Sequence, residues 1–248
     1  MRRFPSSPLN LARSDPAPNT TLSLFCAAAL RKVLEETILP AFTGATGTIV
    51  EVVFEPTSML LRRIEAGARP GIFLGITGTL EASAGPGVFE LTSSKPVAKS
   101  GIGVAVPANA SRPCIASVER LVSVLTTARS VAYSRAGPSG IYFSGLLREL
   151  GIAEQVDARS TIVDDGPVAC ALIDGRSDLA IQQMCELMFV PGATVIGHLP
   201  DAVQHFTEFS ATLSGKAAND VAASALFDFL TGALAVSAYT SGGLEPFQ

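Results

Sequence analysis

From Phe54 to Gly67 the chain reads Phe-Glu-Pro-Thr-Ser-Met-Leu-Leu-Arg-Arg-Ile-Glu-Ala-Gly. The β-rich run Thr48 to Phe54 stops at Glu55-Pro56, two hydroxyl residues follow, and Met59, Leu60 and Ile64 then recur at helical spacing. A strand that hands over to a helix through small hydroxyl residues leaves backbone N–H groups unpaired at the helix start. Those donors, with the positive end of the helix, favour an anion or a polar oxygen. The stretch reads as a cradle for an oxyanion or carboxylate rather than as a catalytic centre.

The same alternation runs through the chain. Leu22 to Cys26 predicts a strand, and Ala28 to Phe42 an amphipathic helix with Leu30, Val33, Leu34 and Ile38 on one face. The helix Thr57 to Ala66 is followed by Ile72 to Ile76, apolar throughout, as expected of a strand buried on both faces. The middle of the chain predicts strands at 102–106, 130–133, 156–163 and 179–182, and helices at 117–126, 139–150 and 167–174. Strands at 194–197 and 206–213 and helices at 217–230 and 234–240 close it. This is an α/β layer pattern. A Pro-containing extended stretch, 93–106, separates two β–α sets, which predicts two lobes, 21–97 plus 205–248 and 98–204, joined by two hinge segments. In open α/β sheets ligands sit beyond the carboxyl ends of strands. That gives candidate contacts at 26–29, 55–58, Thr77, 134–140, 164–168 and 182–186, drawn from both lobes across a closing cleft.

Composition narrows the partners. The chain has 248 residues, 48% hydrophobic and 16% charged, enough for a substantial core. A net charge of -4 without a long basic cluster argues against a nucleic-acid surface. No run approaches the roughly 20 apolar residues of a membrane span, so an integral membrane protein is not expected. Residues 1–20 hold four prolines and no apolar segment of export type, and are expected to form a disordered leader. With no visible signal peptide, a complete chain of this sequence would be cytoplasmic. Cys26, Cys114, Cys170 and Cys185 show no metal spacing and read as small buried hydrophobes, with a disulfide left open. Dinucleotide, Walker, zinc-protease and serine-hydrolase signatures are all missing, and no cofactor or metal is implied.

Three segments occur in a telling order: Ala27-Ala-Ala-Leu30 before a helix, Arg63-Ile-Glu-Ala-Gly67 before an apolar strand, and Pro138-Ser-Gly-Ile-Tyr142. With them, the span from about 21 to 246 resembles the type 2 periplasmic solute-binding proteins, in their molybdate-binding branch. The resemblance implies a two-lobed fold, a periplasmic location, and delivery of a small anion to the membrane subunits of an ABC-type importer. It implies neutral donors from both lobes at Thr57, Ser58 and Ser139, and a backbone donor at Val168. The family's serine after the first strand falls at Ala29, and its late-strand tyrosine at Gln183. Two polar contacts are thus altered, which favours a different anion, a carboxylate. The stretch Leu179 to Leu187, with Val190-Pro-Gly192 and Gly197-His-Leu-Pro200, is similar to a side branch that includes aconitate isomerases. An amide side chain at Gln182 or Gln183 suits a carboxylate, because its NH2 donates without adding charge.

Each candidate has a plainer role beside it. Thr57, Ser58 and Ser139 are also ordinary residues for a helix start. Gln182 and Gln183 are adjacent on a strand, so one of them faces the cleft. Arg135, in a loop after a strand end, is a candidate bidentate clamp for a carboxylate, whereas Arg62 and Arg63 read as solvated. An enzyme of the isomerase kind would need an acid and a base, for which Glu186, His198 and Cys26 are the visible options. The expected function is therefore capture of a small anion, with an isomerase on the same fold as the alternative and a cytoplasmic sensor as a third.

Overall fold

The computed structural model describes residues 21–80, 88–164 and 166–247. The leader expected at 1–20 lies outside them. Ten strands are present among these residues: β1 Thr21–Ala27, β2 Ile49–Glu55, β3 Ile72–Ile76, β4 Lys95–Pro107, β5 Val131–Tyr133, β6 Ser160–Ile162, β7 Leu179–Gln183, β8 Ala193–His198, β9 Phe206–Leu213 and β10 Glu245–Pro246. Their order is β2-β1-β3-β9-β4-β7-β5-β6, with β8 and β10 also pairing with β4. The pairs β1–β2, β1–β3, β5–β6 and β5–β7 are parallel, and β4 and β9 run antiparallel to their neighbours.

β4 divides the molecule. Its first half, Lys95 to Gly101, pairs with β9, and its second half, Ile102 to Pro107, pairs with β7 and β8. Each half of the molecule carries apolar layers on both faces of its strands, by simple alternation. In β3, Ile72 and Leu74 enter one core with Leu24, Phe42, Phe209 and Tyr239, while Phe73 enters another with Phe25, Leu60 and Ile64. In β7, Leu179 and Ile181 join Tyr133 and Phe143, while Ala180 joins Ala132, Val168 and Leu172. This is a mixed α/β architecture of two strand sets, each flanked by helices.

A second crossing lies at 199–206. There Gln204 imitates a ladder rung: its Oε1 accepts from Ile102 N–H at 2.9 Å and its Nε2 donates to Ile102 C=O at 3.0 Å. Tyr142, on the helix Pro138–Glu149, donates its hydroxyl to Val203 C=O at 3.0 Å and stacks on His205 at 4.6 Å.

Several local expectations need correction. The helix foreseen at 28–42 is a 3-10 turn Ala28–Leu30, an α turn Arg31–Val33, a π segment Leu34–Ile38 and an α-helix Leu39–Thr46. Pro40 lacks the N–H that a continuous α ladder requires, and the widened turn before it absorbs the defect. The run 156–163 is not one strand. Ala153–Asp157 is helical, with Ile152 and Val156 buried one turn apart, and only Ser160–Ile162 is extended. The helix expected at 167–174 is confined to Cys170–Ile173. The helix expected at 217–230 splits at Asp220, whose Oδ1 accepts from Ala222 N–H at 2.8 Å and Ala223 N–H at 3.3 Å to start Val221–Thr231. Cys26 and Cys185 are buried, but Cys114 and Cys170 are exposed, and all four are free thiols. Among the described residues no single helix is long and apolar enough to cross a membrane.

Gln204→Ala leaves Ile102 N–H without its partner and its C=O with Leu199 N–H alone, at a cost of about 1–3 kcal/mol. A urea unfolding midpoint that does not fall in this variant would show that Gln204 contributes nothing to the crossing.

Candidate functional site

At the end of β2, Pro56 caps the helix Thr57–Glu65, and its carbonyl accepts from both Met59 N–H (2.8 Å) and Leu60 N–H (3.2 Å). Thr57 and Ser58 head the helix, and their N–H groups have no intrahelical acceptor. The Thr57 side chain is buried, and its Oγ1 accepts from Ile76 N–H at 3.4 Å, which ties the helix start to the end of β3. Ser58 is exposed, and among the described residues its hydroxyl has no partner. Close by, Thr77 shares a hydroxyl–hydroxyl bond of 2.7 Å with Ser210. Arg63 is not free to meet a ligand, because its Nε donates to Glu55 at 2.7 Å in a two-pronged pair. The same guanidinium holds the Glu55 carboxyl below its usual range.

In the second strand set the corresponding handover is β5 to the helix Pro138–Glu149. Gly137 caps it and Pro138 opens it, with fixed φ and no N–H to satisfy. Ser139 is buried at the second helical position. Gly140 is required, since a Cβ there would fall on the Ser134 carbonyl. Arg135 is exposed and lies near the Tyr133 hydroxyl, which itself donates to Asp157 at 2.6 Å. Burial, then the Asp157 bond, push the Tyr133 hydroxyl up, and Arg135 opposes them.

The two glutamines of β7 point to opposite sides. Gln182 Oε1 accepts from Val168 N–H at 2.9 Å, and its Nε2 donates to Glu186 Oε1 at 2.9 Å. The amide orientation follows from chemistry: Val168 N–H can only donate, so the oxygen must face it. The Val168 donor is therefore engaged by Gln182 rather than open. Gln183 turns the other way, donating to Thr207 Oγ1 at 3.2 Å and accepting from the Cys185 thiol at 3.7 Å.

The helix Met184–Leu187 that follows joins the two halves. Cys185 is buried in the core of Leu30, Val33 and Tyr239, and Leu187 in that of Ala105, Val168 and Ala180. The Ala28–Leu30 turn, which carries Ala29, packs against the same helix. The ends of β1 and β7 are thereby side by side. Glu186 stands between Cys185 and Leu187, half-buried, and burial lifts its carboxyl from 4.5 to about 7, with the Gln182 bond opposing.

Ala29, Val168, Gln182, Gln183 and Glu186 thus gather around one junction. Thr57 with Ser58, and Ser139, occupy the two helix starts, and Arg135 is exposed beside Tyr133. Glu186 is an acid–base option in the sequence, and its burial comes from long-range packing. His198 and His205 belong to the crossing at 199–206, where His198 Nδ1 meets Gln204 Nε2 at 3.3 Å. Cys26 is buried and its thiol is pushed well above its ordinary range, which removes it as a nucleophile. Among the described residues no cluster of three His, Cys, Asp or Glu side chains could hold a metal ion.

Comparison with known proteins follows this geometry. The chain is 28% identical to an aconitate isomerase of Pseudomonas sp. over 247 residues, covering 97% of this chain and 92% of that protein. Its fold matches the periplasmic molybdate-binding protein of Azotobacter vinelandii with a TM-score of 0.71 at 19% identity, covering 92% of this chain and 100% of that one. It also matches the tungstate ABC transporter structure from Geobacter sulfurreducens with a TM-score of 0.64 at 18% identity, covering 89% and 98%. These neighbours share the two-lobed periplasmic-binding fold. The family model described as bacterial extracellular solute-binding protein matches residues 22–245, and the chain belongs to that family.

Proposed function

We propose that the chain captures a small anion between its two halves and holds it with uncharged donors. One observation carries this reading: each strand set presents a helix start at the carboxyl end of a strand, Thr57-Ser58 on one side and Pro138-Ser139 on the other. The nearby guanidinium of Arg63 is committed to Glu55, and Arg135 is exposed beside Tyr133. Binding then rests on hydrogen bonds to a charged acceptor, worth about 1.5–3 kcal/mol each, rather than on a full counter-charge. The lobes are 21–97 plus 205–248 and 98–204, and they close about the crossings in β4 and at 199–206. In this reading the protein is periplasmic and hands its ligand to the membrane subunits of an ABC-type importer.

The ligand class is a carboxylate. Molybdate and tungstate, bound by the structural neighbours, are tetrahedral oxyanions. Ala29 and Gln183 replace two hydroxyl donors that the molybdate branch carries, and the relative at 28% identity acts on a tricarboxylate. That relative and the half-buried Glu186 beside Gln182 favour a second reading, an isomerase that shifts a proton along an unsaturated polycarboxylate.

A thermal-shift panel of molybdate, tungstate, sulfate, phosphate, citrate and the two aconitates tests the ligand class. A ligand at 100 times its Kd stabilises by about 2.7 kcal/mol. Stabilisation by a carboxylate is expected, and a response to molybdate or tungstate alone would overturn that choice. Incubation with cis- or trans-aconitate separates the readings, since interconversion supports the isomerase and stabilisation without turnover supports capture. Ser58→Ala and Ser139→Ala should each weaken binding by about 1–3 kcal/mol. An unchanged Kd in either variant removes that hydroxyl from the site.

A further inference from the structure

The junction around Glu186 has a property that neutral donors do not account for. A carboxylate there would repel the anion that the site is proposed to hold. Gln182 already occupies Oε1, so the side chain is fixed by a chain of bonds running from Val168 N–H through the amide. Among the described residues Oε2 has no hydrogen-bond partner, and no side-chain oxygen is fully sealed off without one, so Oε2 keeps some contact with solvent. With Oε1 accepting, a proton on this carboxyl sits on Oε2 and points outward.

We propose that Glu186 is a proton-bearing contact of the anion site: as a neutral acid it donates from Oε2 to the ligand, and once ionised it repels it. The inference rests on the anion-capture reading above and makes capture a joint uptake of one anion and one proton. No bond is broken beyond the transfer of that proton from solvent to Oε2.

Among the described residues no cation pairs with Glu186: Lys32, over the Phe189 ring at 4.4 Å, pairs with Glu36 at 3.7 Å. On β7 and on the Ala28–Leu30 turn there is no titratable side chain. On β4, Lys99 meets Glu245 at 3.4 Å and the Phe206 ring at 4.3 Å, and Lys95 lies over the Phe227 ring at 5.0 Å. On β8, His198 is directed to Gln204. Asp164, before Val168, is exposed, and Asp165 lies outside the described residues. Cys185, next in the chain, is buried and its thiol is pushed up above its ordinary range, so it stays neutral. Burial without a cation is what keeps the Glu186 proton in place up to about pH 7. The sign for stability follows. The folded carboxyl keeps its proton to about 7 whereas the unfolded one releases it near 4.5, so stability falls as pH rises through that window.

The test is isothermal titration of the full chain with trans-aconitate and with molybdate from about pH 6.5 to 9, with Glu186→Gln as the control for any titration of the ligand itself. The wild type should lose affinity roughly tenfold per pH unit above about 7, and binding should take up a proton, seen as a buffer-dependent heat. Glu186→Gln keeps an oxygen for Gln182 and places an NH2 where the acid proton was. It should bind at pH 9 as the wild type does at pH 6.5, with a flat profile. Equal pH profiles in both proteins, or no proton uptake by the wild type, would overturn the proposal and leave anion capture standing. No heat with either anion at any pH would overturn both. The proton-uptake measurement needs only the wild type, so a poorly folding variant does not blunt the test.

Discussion

One strand has to satisfy two sheets. β4 gives its first seven residues to β9 and its last six to β7 and β8, and the change falls between Gly101 and Ile102. A strand cannot end there without exposing backbone groups that must be paired. Gln204 supplies the pairing on the returning chain, bonding both polar groups of Ile102. Gly101 is buried beside His198, Phe206 and Gln204, and any side chain would crowd that packing. The two halves are thus linked by narrow, fully bonded crossings rather than by a broad apolar face.

The site follows from that linkage. Each half is closed by its own apolar layers, and its helix starts lie at the carboxyl ends of its strands. The short helix Met184–Leu187 bridges the halves, since Cys185 and Leu187, two residues apart, are anchored in different cores. A residue placed between two such anchors is removed from water by both halves together. That is the physical origin of the acidity shift at Glu186, which neither half would impose alone.

Much of the fold was legible because buried strands write apolar runs, as at Ile72 to Ile76, and because Gly and Pro punctuate the helices. What escaped was governed by competition. The β-branched stretch 156–163 looked extended, yet Ile152 and Val156 at helical spacing found a core to enter. Lys95 to Gly101, with Pro96 and two lysines, looked like a connector and became half of the central strand. At the site, the chain positions of Thr57, Ser58 and Ser139 could be read from the strand–helix handovers. Their neighbours could not. Arg135 beside Tyr133 and Val168 bonded to Gln182 depend on residues 2 and 14 positions apart folding onto one another. Local pattern is silent on such geometry.

Ser139 and Tyr142 sit three residues apart on one helix, close to a full turn. The first lies at its tip, and the second is stacked on His205 and bonded to Val203 at the returning crossover. One rigid helix therefore links its own first turn to the returning chain. Any change of angle between them must slide that aromatic stack, so the two rings act as a brake on the crossover.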